Sequence, residues 1–218
     1  MRILTAHNYY QYYGGSCVCF EEESELLRQN GDEVIPYTVH NKDIDSINKF
    51  ALLGKTFWNR KSYRDIRNII RNKKPDLLHV TNTFPLLSFS VYSAARDENI
   101  PVVQSLHNYQ LICPNAQFMR RGKLCENCMS ELFPYSAVVH ACYRNSRIIS
   151  AVTAAMLFYH RLIRTFSNKV DTFIALTEFQ KQKLVEWGLN EEQIQIKNNF
   201  LSPDPGFSAG GGVFALYA

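Results

Sequence analysis

The sequence predicts an α/β domain with a Rossmann-like, doubly wound parallel sheet, and three features carry that expectation. Short apolar runs rich in β-branched residues alternate with helical patterns. A glycine pair, Gly14-Gly15, lies between the first strand and the first helix. Polar residues cluster where the strands end, most clearly at His107 and Asn108. Alternating strands and helices of this kind build parallel sheets with helices packed on their faces. In open parallel sheets the ligand crevice lies beyond the carboxyl ends of the strands.

The most telling stretch is Pro101-Val102-Val103-Gln104-Ser105-Leu106-His107-Asn108-Tyr109. Its apolar start reads as a buried strand, and its polar end delivers His107 and Asn108 to the crevice. The plain alternative for His107 is a hydrogen-bonded histidine at a strand end. Earlier in the chain, Arg2 to His7 is the first strand and Asn8 to Ser16 a tyrosine-rich turn containing the glycine pair. Cys17 to Gln29 has helical spacing with Val18, Phe20, Leu26 and Leu27 apolar, and Asn30-Gly31 closes it. Glu33 to Val39 completes a βαβ unit. His40 to Phe57 has no clear period.

Trp58 to Lys74 is predicted as a helix with Tyr63, Ile66, Ile69 and Ile70 inward and a basic outer face, ended by Pro75. Leu77 to Val80 is the third strand, and a helix follows from about Leu86 to Asp97. Residues 109–143 break the alternation with four cysteines and little periodicity. Arg144 to Phe166 reads as one long helix, with Ile148, Ile149, Val152, Met156, Leu157, Leu162 and Ile163 as candidates for its buried side. Val170 to Leu176 is a strand, Thr177 to Trp187 a helix capped by Thr177 and stopped by Gly188, and Ile194 to Asn199 a last full strand. Domain organisation follows: residues 1–200 form the α/β unit, with 109–143 as a Cys-rich insertion. Residues 201–218 read as a linker, Ser202 to Gly206, and the start of another strand at Val213.

With 218 residues and a net charge of +4, the chain has an ordinary globular composition, 46% hydrophobic and 20% charged. No run approaches the roughly 20 apolar residues that span a bilayer. Met1 to Asn8 lacks the pattern of a secretory signal, so a cytoplasmic protein is expected. Its six cysteines are then thiols or metal ligands rather than disulfides.

Several groups of residues could carry chemistry. Gly14-Gly15 at a helix start offers backbone amides and a positive helix end to a phosphate, or is simply a tight turn. Cys113, Cys125, Cys128 and Cys142 give C-x11-C-x2-C-x13-C within one irregular excursion. C-x2-C lets two thiolates reach one ion, and a tetrahedral structural zinc site takes four such ligands. His140 could stand in for Cys142, an iron–sulfur cluster would use the same thiolates, and four reduced cysteines need hold nothing. Cys17 and Cys19 point to different faces of a helix and read as packed. His7 and His79 sit late in their strands and could face the same crevice as His107, or be satisfied core histidines. Tyr9, Tyr10, Tyr12 and Tyr13 could stack on a sugar or cover the turn. Basic residues at 60–74 and 144–169 are either solvated helix faces or a cationic surface for anionic lipid or a polyanion.

These residues resemble bacterial family 4 glycosyltransferases. The resemblance runs through His7-Asn8-Tyr9-Tyr10, Gly14-Gly15, Phe20-Glu21, Glu25-Leu26-Leu27 and Gly31. It continues in His79-Val80-Thr81-Asn82-Thr83-Phe84-Pro85, Leu106-His107-Asn108-Tyr109 and Cys113-Pro114-Asn115, and ends in Ala175-Leu176-Thr177-Glu178-Phe179 and Lys197-Asn198-Asn199-Phe200. It covers nearly the whole chain.

The resemblance implies the N-terminal domain of a two-domain GT-B enzyme. Such an enzyme transfers a sugar from a nucleotide-sugar donor to a saccharide or lipid-linked saccharide acceptor, with retention and without a catalytic metal. On that pattern Gly14 and Gly15 lie against the donor diphosphate. His107 sits by the transferring sugar as the catalytic residue, and His7, Asn82, Asn108 and Tyr109 line the acceptor side. The nucleotide-binding domain, with its basic pair and E-x7-E motif, is expected beyond Val213, so this chain alone is expected to turn over no sugar nucleotide. Ser16-Cys17 departs from the pattern, since related sequences often carry an acidic residue there. Peripheral contact with the inner face of a membrane is a further expectation. A zinc-containing α/β module for nucleic acid is the alternative, weakened by the lack of an aromatic stacking platform.

Overall fold

In the computed structural model, which describes residues 1–200, the chain begins with β1 (Arg2–Tyr9), α1 (Gly15–Gln29) and β2 (Glu33–His40). It continues through α2 (Lys49–Phe57), α3 (Arg60–Lys73), β3 (Leu77–Asn82), α4 (Ser90–Asp97) and β4 (Val102–Leu106). After two short strands, β5 (Met119–Arg120) and β6 (Lys123–Leu124), come α5 (Tyr135–Val139), α6 (Arg147–Leu162) and α7 (Thr165–Lys169). The last described elements are β7 (Thr172–Ala175), α8 (Glu178–Trp187) and β8 (Ile194–Ile196). The linker and strand expected after Leu201 lie outside the described residues.

The main sheet is wholly parallel, in the order β2-β1-β3-β4-β7-β8. The chain steps one way from β1 to β2 and the other way from β3 onward. β1 and β3 therefore flank the switch point where a doubly wound sheet opens its crevice. The strands are apolar because both faces are covered: Leu4, Ala6, Leu78, Val80, Val102, Phe173 and Ala175 are wholly buried. The expected Rossmann-like architecture is what the chain adopts.

Local signals set several boundaries where they were expected. Lys74 leaves α3 in the left-handed conformation (φ 48°) before Pro75, while the start of that helix falls two residues after the expected Trp58, where Asn59 caps it by accepting from the Lys61 and Ser62 amides. Thr177 caps α8 by accepting from the Gln180 amide, and Gly188 ends it at φ 110°.

Four expectations need correction. The buried side of α1 is Cys17, Phe20, Glu23 and Ser24, whereas Val18 and Leu26 are exposed. Residues 49–57, which showed no clear period, form α2. The helix expected from Leu86 starts only at Ser90, because Ser88 is left-handed (φ 58°) and its hydroxyl accepts from the Ser90 amide. The long helix expected over 144–166 is two helices. Left-handed Arg144 and Asn145 delay its start to Arg147, where Ser146 caps it, and left-handed Arg164 breaks it before α7. Its buried side is Ser150, Thr153, Ala154, Met156, Leu157 and His160, while Ile148 (78% exposed) and Leu162 (60% exposed) face out.

Candidate functional site at the carboxyl edge of the sheet

The glycine pair opens the site. Gly14 is the N-cap of α1 with extended backbone, and its carbonyl accepts from the Cys17 amide at 2.9 Å. Neither glycine has the positive φ that would demand glycine. A Cβ on Gly15 would meet nothing within 4 Å, and one on Gly14 only the Tyr12 carbonyl at 4.0 Å. The fold does not need these glycines for turn geometry or internal crowding. What they leave is open space in front of the first-turn amides of a 15-residue helix, where an anion is favoured.

His107 follows the end of β4 at the same edge. Its Nε2 is enclosed and has no hydrogen-bond partner among the described residues. Burial holds its pKa below the usual histidine range, with Lys197 lowering it further and Glu23 opposing, so the ring is neutral at pH 7. The neighbouring Asn108 ties this edge to the glycine turn: its Nδ2 donates to the Tyr10 hydroxyl at 3.4 Å, and Tyr10 lies in the loop that leads to Gly14. Asn108 Oδ1 accepts from the Gln110 amide at 2.9 Å, which fixes the chain just after His107.

Two charged residues join this centre. Glu23, nearly buried on α1, pairs through Oε1 with Lys197 just after β8, and Glu23 Oε2 has no partner among the described residues. Sequence reasoning missed both. The signal for Glu23 was its place three residues after Phe20, on the buried side of α1. The signal for Lys197 was a cation at the end of a strand, where this site collects polar groups. His79 completes the cluster: its Nε2 lies 2.8 Å from the Ser105 hydroxyl on β4, and burial lowers its pKa.

The remaining expected site residues are placed less openly. His7 is fully buried, its ring stacked on Phe20 (centroids 4.5 Å apart) with Tyr9 against it edge-on at 4.7 Å. Asn82 donates to the Asn8 carbonyl at 2.6 Å and accepts from the Phe84 amide at 3.3 Å, so it ties the ends of β1 and β3 together. Tyr109 stacks on Phe118 with centroids 4.4 Å apart, at the root of the Cys-rich excursion.

His7 has a consequence for stability. Neither ring nitrogen has a partner among the described residues, and burial, reinforced by His107 and His40, lowers its pKa to about 3. The unfolded chain takes up a proton near pH 6.5 and the folded chain does not until about pH 3. The His7 contribution to stability is therefore full above pH 6.5 and falls as pH drops through that window, by about 1.4 kcal/mol per pH unit. His7→Phe keeps the stacking and removes the titrating group. Urea unfolding of this variant at pH 7 and pH 5 is expected to show a shallower loss of stability than the wild-type chain; equal slopes would contradict the assignment.

The four cysteines of the excursion converge. Cys113, Cys125, Cys128 and Cys142 line one small cavity, all as free thiols, whereas His140 is exposed and does not line it. Burial and the nearby Cys113 and Glu131 push the Cys128 thiol up to about 12. As the side chains stand, no three His, Cys, Asp or Glu residues among those described form a ready metal cage.

The basic surfaces are partly neutralised. On α3, Arg67 and Arg71 pair with Glu98 at 2.6 and 2.8 Å, and Lys61 pairs with Asp65 at 2.5 Å. No helix among the described residues is long and apolar enough to cross a membrane.

Comparison with known proteins identifies the setting of this site. A Klebsiella pneumoniae protein, described as an uncharacterized 42.6 kDa protein in the cps region, is 23% identical over 231 residues; these cover 92% of this chain and 55% of that one. Among solved structures, the S. aureus MnaA–UDP co-structure matches with a TM-score of 0.53 at 14% identity, over 91% of this chain and 44% of that one. The apo lipopolysaccharide outer core galactosyltransferase WaaB matches with a TM-score of 0.50 at 10% identity, over 94% of this chain and 47% of that one. At such identities the structural likeness speaks for the fold. The chain spans about half the length of each of these relatives. Residues 13–204, most of the sequence, match the model of Glycosyltransferase Family 4, and the chain belongs to that family.

Proposed function

We propose that this chain is the acceptor-side half of a retaining glycosyltransferase that moves a sugar from a nucleotide-sugar donor to a saccharide or lipid-linked saccharide. One observation carries the reading: a helix N-terminus at Gly14-Gly15, clear in front of Gly15, and a neutral histidine whose enclosed ring nitrogen has no partner among the described residues lie at the same edge of the sheet. As the bond between sugar and diphosphate breaks, negative charge grows on the leaving phosphate, and the first-turn amides of α1 are placed to stabilise it. Positive charge grows on the sugar. The uncharged His107 ring can hydrogen-bond a sugar hydroxyl without adding a repelling cation. Neither role calls on a metal ion. That MnaA holds UDP and WaaB is a galactosyltransferase accords with this chemistry.

A lipid-linked acceptor and peripheral membrane contact on the cytoplasmic side are supported by the α5–α6 surface. Residues 132–170 contain no Asp or Glu but carry Arg144, Arg147 and Arg164 beside exposed Leu132, Ile148 and Leu162. Cations around an apolar face suit an anionic bilayer surface.

In this reading His7 and Asn82 shape the acceptor side from beneath, while Asn108 and Tyr109 border it. The nucleotide is held by a second half, outside the described residues. The test is to titrate the 218-residue chain with candidate saccharide acceptors by NMR and to assay it with nucleotide sugars. Saturable shifts around His107 and Asn108 without turnover are expected. Transfer by this chain alone would show that the donor site does not need a second half.

A further inference from the structure

We infer that Cys113, Cys125, Cys128 and Cys142 form a structural zinc site that clamps the excursion between β4 and α6, a role independent of the transferase reading. Four thiols far apart in sequence line the same cavity, and none is spent in a disulfide. Cys125 and Cys128 supply the C-x2-C bite, and Cys113 and Cys142 close the set from the two ends of the segment. The cavity itself, about 10 Å³, has room for one small ion. Zinc suits it best, being soft enough for four sulfurs and content with a closed tetrahedron.

Two further observations point the same way. The segment holds its backbone in costly conformations close to the cysteines: Ala116, Phe118, Arg121 and Ala141 all have positive φ, between 49° and 63°. Such residues persist only where the surroundings over-determine them. Here the regular structure is two strands of two residues, a single 3-10 turn and a five-residue helix, with Leu111, Ile112 and Phe118 anchored in the core. A bound ion adds a constraint at the cysteines themselves. The second observation is charge. Arg120 lines the same cavity, and its buried Nη1 has no hydrogen-bond partner among the described residues. Four thiolates around a divalent cation leave the site doubly negative, and a guanidinium beside it compensates part of that charge.

The four sulfurs line the cavity without meeting at a single point. Binding therefore moves side chains inward, and each thiol that becomes a ligand releases its proton to water. Outside the cavity, Arg161 ties two parts of the excursion together: its guanidinium donates to the carbonyls of Leu111 and Ile112 on one side and Glu131 and Leu132 on the other.

The test uses the 218-residue chain expressed with zinc supplied. Elemental analysis should find about one zinc per chain, and cobalt exchanged into the site should give the intense near-ultraviolet sulfur-to-metal absorption of a tetrathiolate. Removing zinc with a chelator should lower the melting temperature, and returning zinc should restore it. Cys128→Ser should lose the metal or weaken its binding at least about tenfold. Because that variant could also unfold, the chelation and cobalt measurements on the wild-type chain decide the matter. Wild-type protein that holds no zinc and gives no sulfur-to-cobalt band would overturn the inference. So would iron with acid-labile sulfide, or a mass lowered by the hydrogens lost on forming disulfides.

Discussion

His107→Ala is expected to lower sugar transfer by the intact glycosyltransferase about 10²–10³-fold, the usual effect of removing a single preorganised hydrogen-bonding group from a transition-state site. The fold should barely change. Nε2 of His107 makes no hydrogen bond to the described residues, so the substitution breaks no internal polar contact there. The ring is also only partly buried, so the lost packing is modest. Steady-state kinetics and thermal unfolding, measured together, separate the two readings of this residue. A histidine that merely caps a strand would cost stability and leave kcat intact. A histidine that contacts the reacting sugar would cost kcat and leave the melting temperature within a few degrees. Because burial keeps the ring neutral, wild-type activity should also hold below pH 6.5 before any loss traceable to His107 protonation.

Gly15→Val is expected to raise KM for the nucleotide sugar at least about tenfold, or ~1.4 kcal/mol, while the protein stays as stable as before. No described atom beyond its chain neighbours and its own helix lies within 4 Å of a Cβ built on Gly15, so a larger side chain there is admitted by the fold itself. The valine methyl groups meet the diphosphate if it binds there, since close approach to backbone amides is what a glycine permits. Gly15→Ala offers a milder form of the same test, and loss of backbone entropy in the unfolded chain should stabilise it by about 0.5–1 kcal/mol. Unchanged KM in both variants would mean that the glycine pair does not face the donor.

The parts of this architecture that were legible in the sequence are those set by short-range rules. Strands β1, β3 and β4 show as apolar runs because both of their faces are covered. Helix α3 ends where Pro75 dictates, and α8 begins and ends where Thr177 and Gly188 dictate. His107 was visible because a polar pair closing an apolar strand has few places to be except the crevice.

What escaped depends on which way a helix turns or on residues distant in sequence. The three glutamates Glu21, Glu22 and Glu23 look alike, yet only Glu23 shares the inward side of α1 with Phe20 and reaches Lys197, 174 positions later. Ile148 and Leu162 looked like core residues, but their side of α6 faces out and Met156 and Leu157 take the interior instead. His7 was expected to line the crevice, and its position late in β1 is as anticipated. That Phe20 and Tyr9 enclose it follows from the packing of α1 over the strand, which no spacing reveals.

The proposed chemistry depends on one edge of one sheet, so the measurement that bears on it most directly is a crystal structure of the intact enzyme with a nucleotide sugar bound. It should show the diphosphate against the first-turn amides at Gly14 and Gly15, with a hydroxyl of the transferring sugar hydrogen-bonded to Nε2 of His107. A donor whose diphosphate and sugar both bind away from these residues would contradict it.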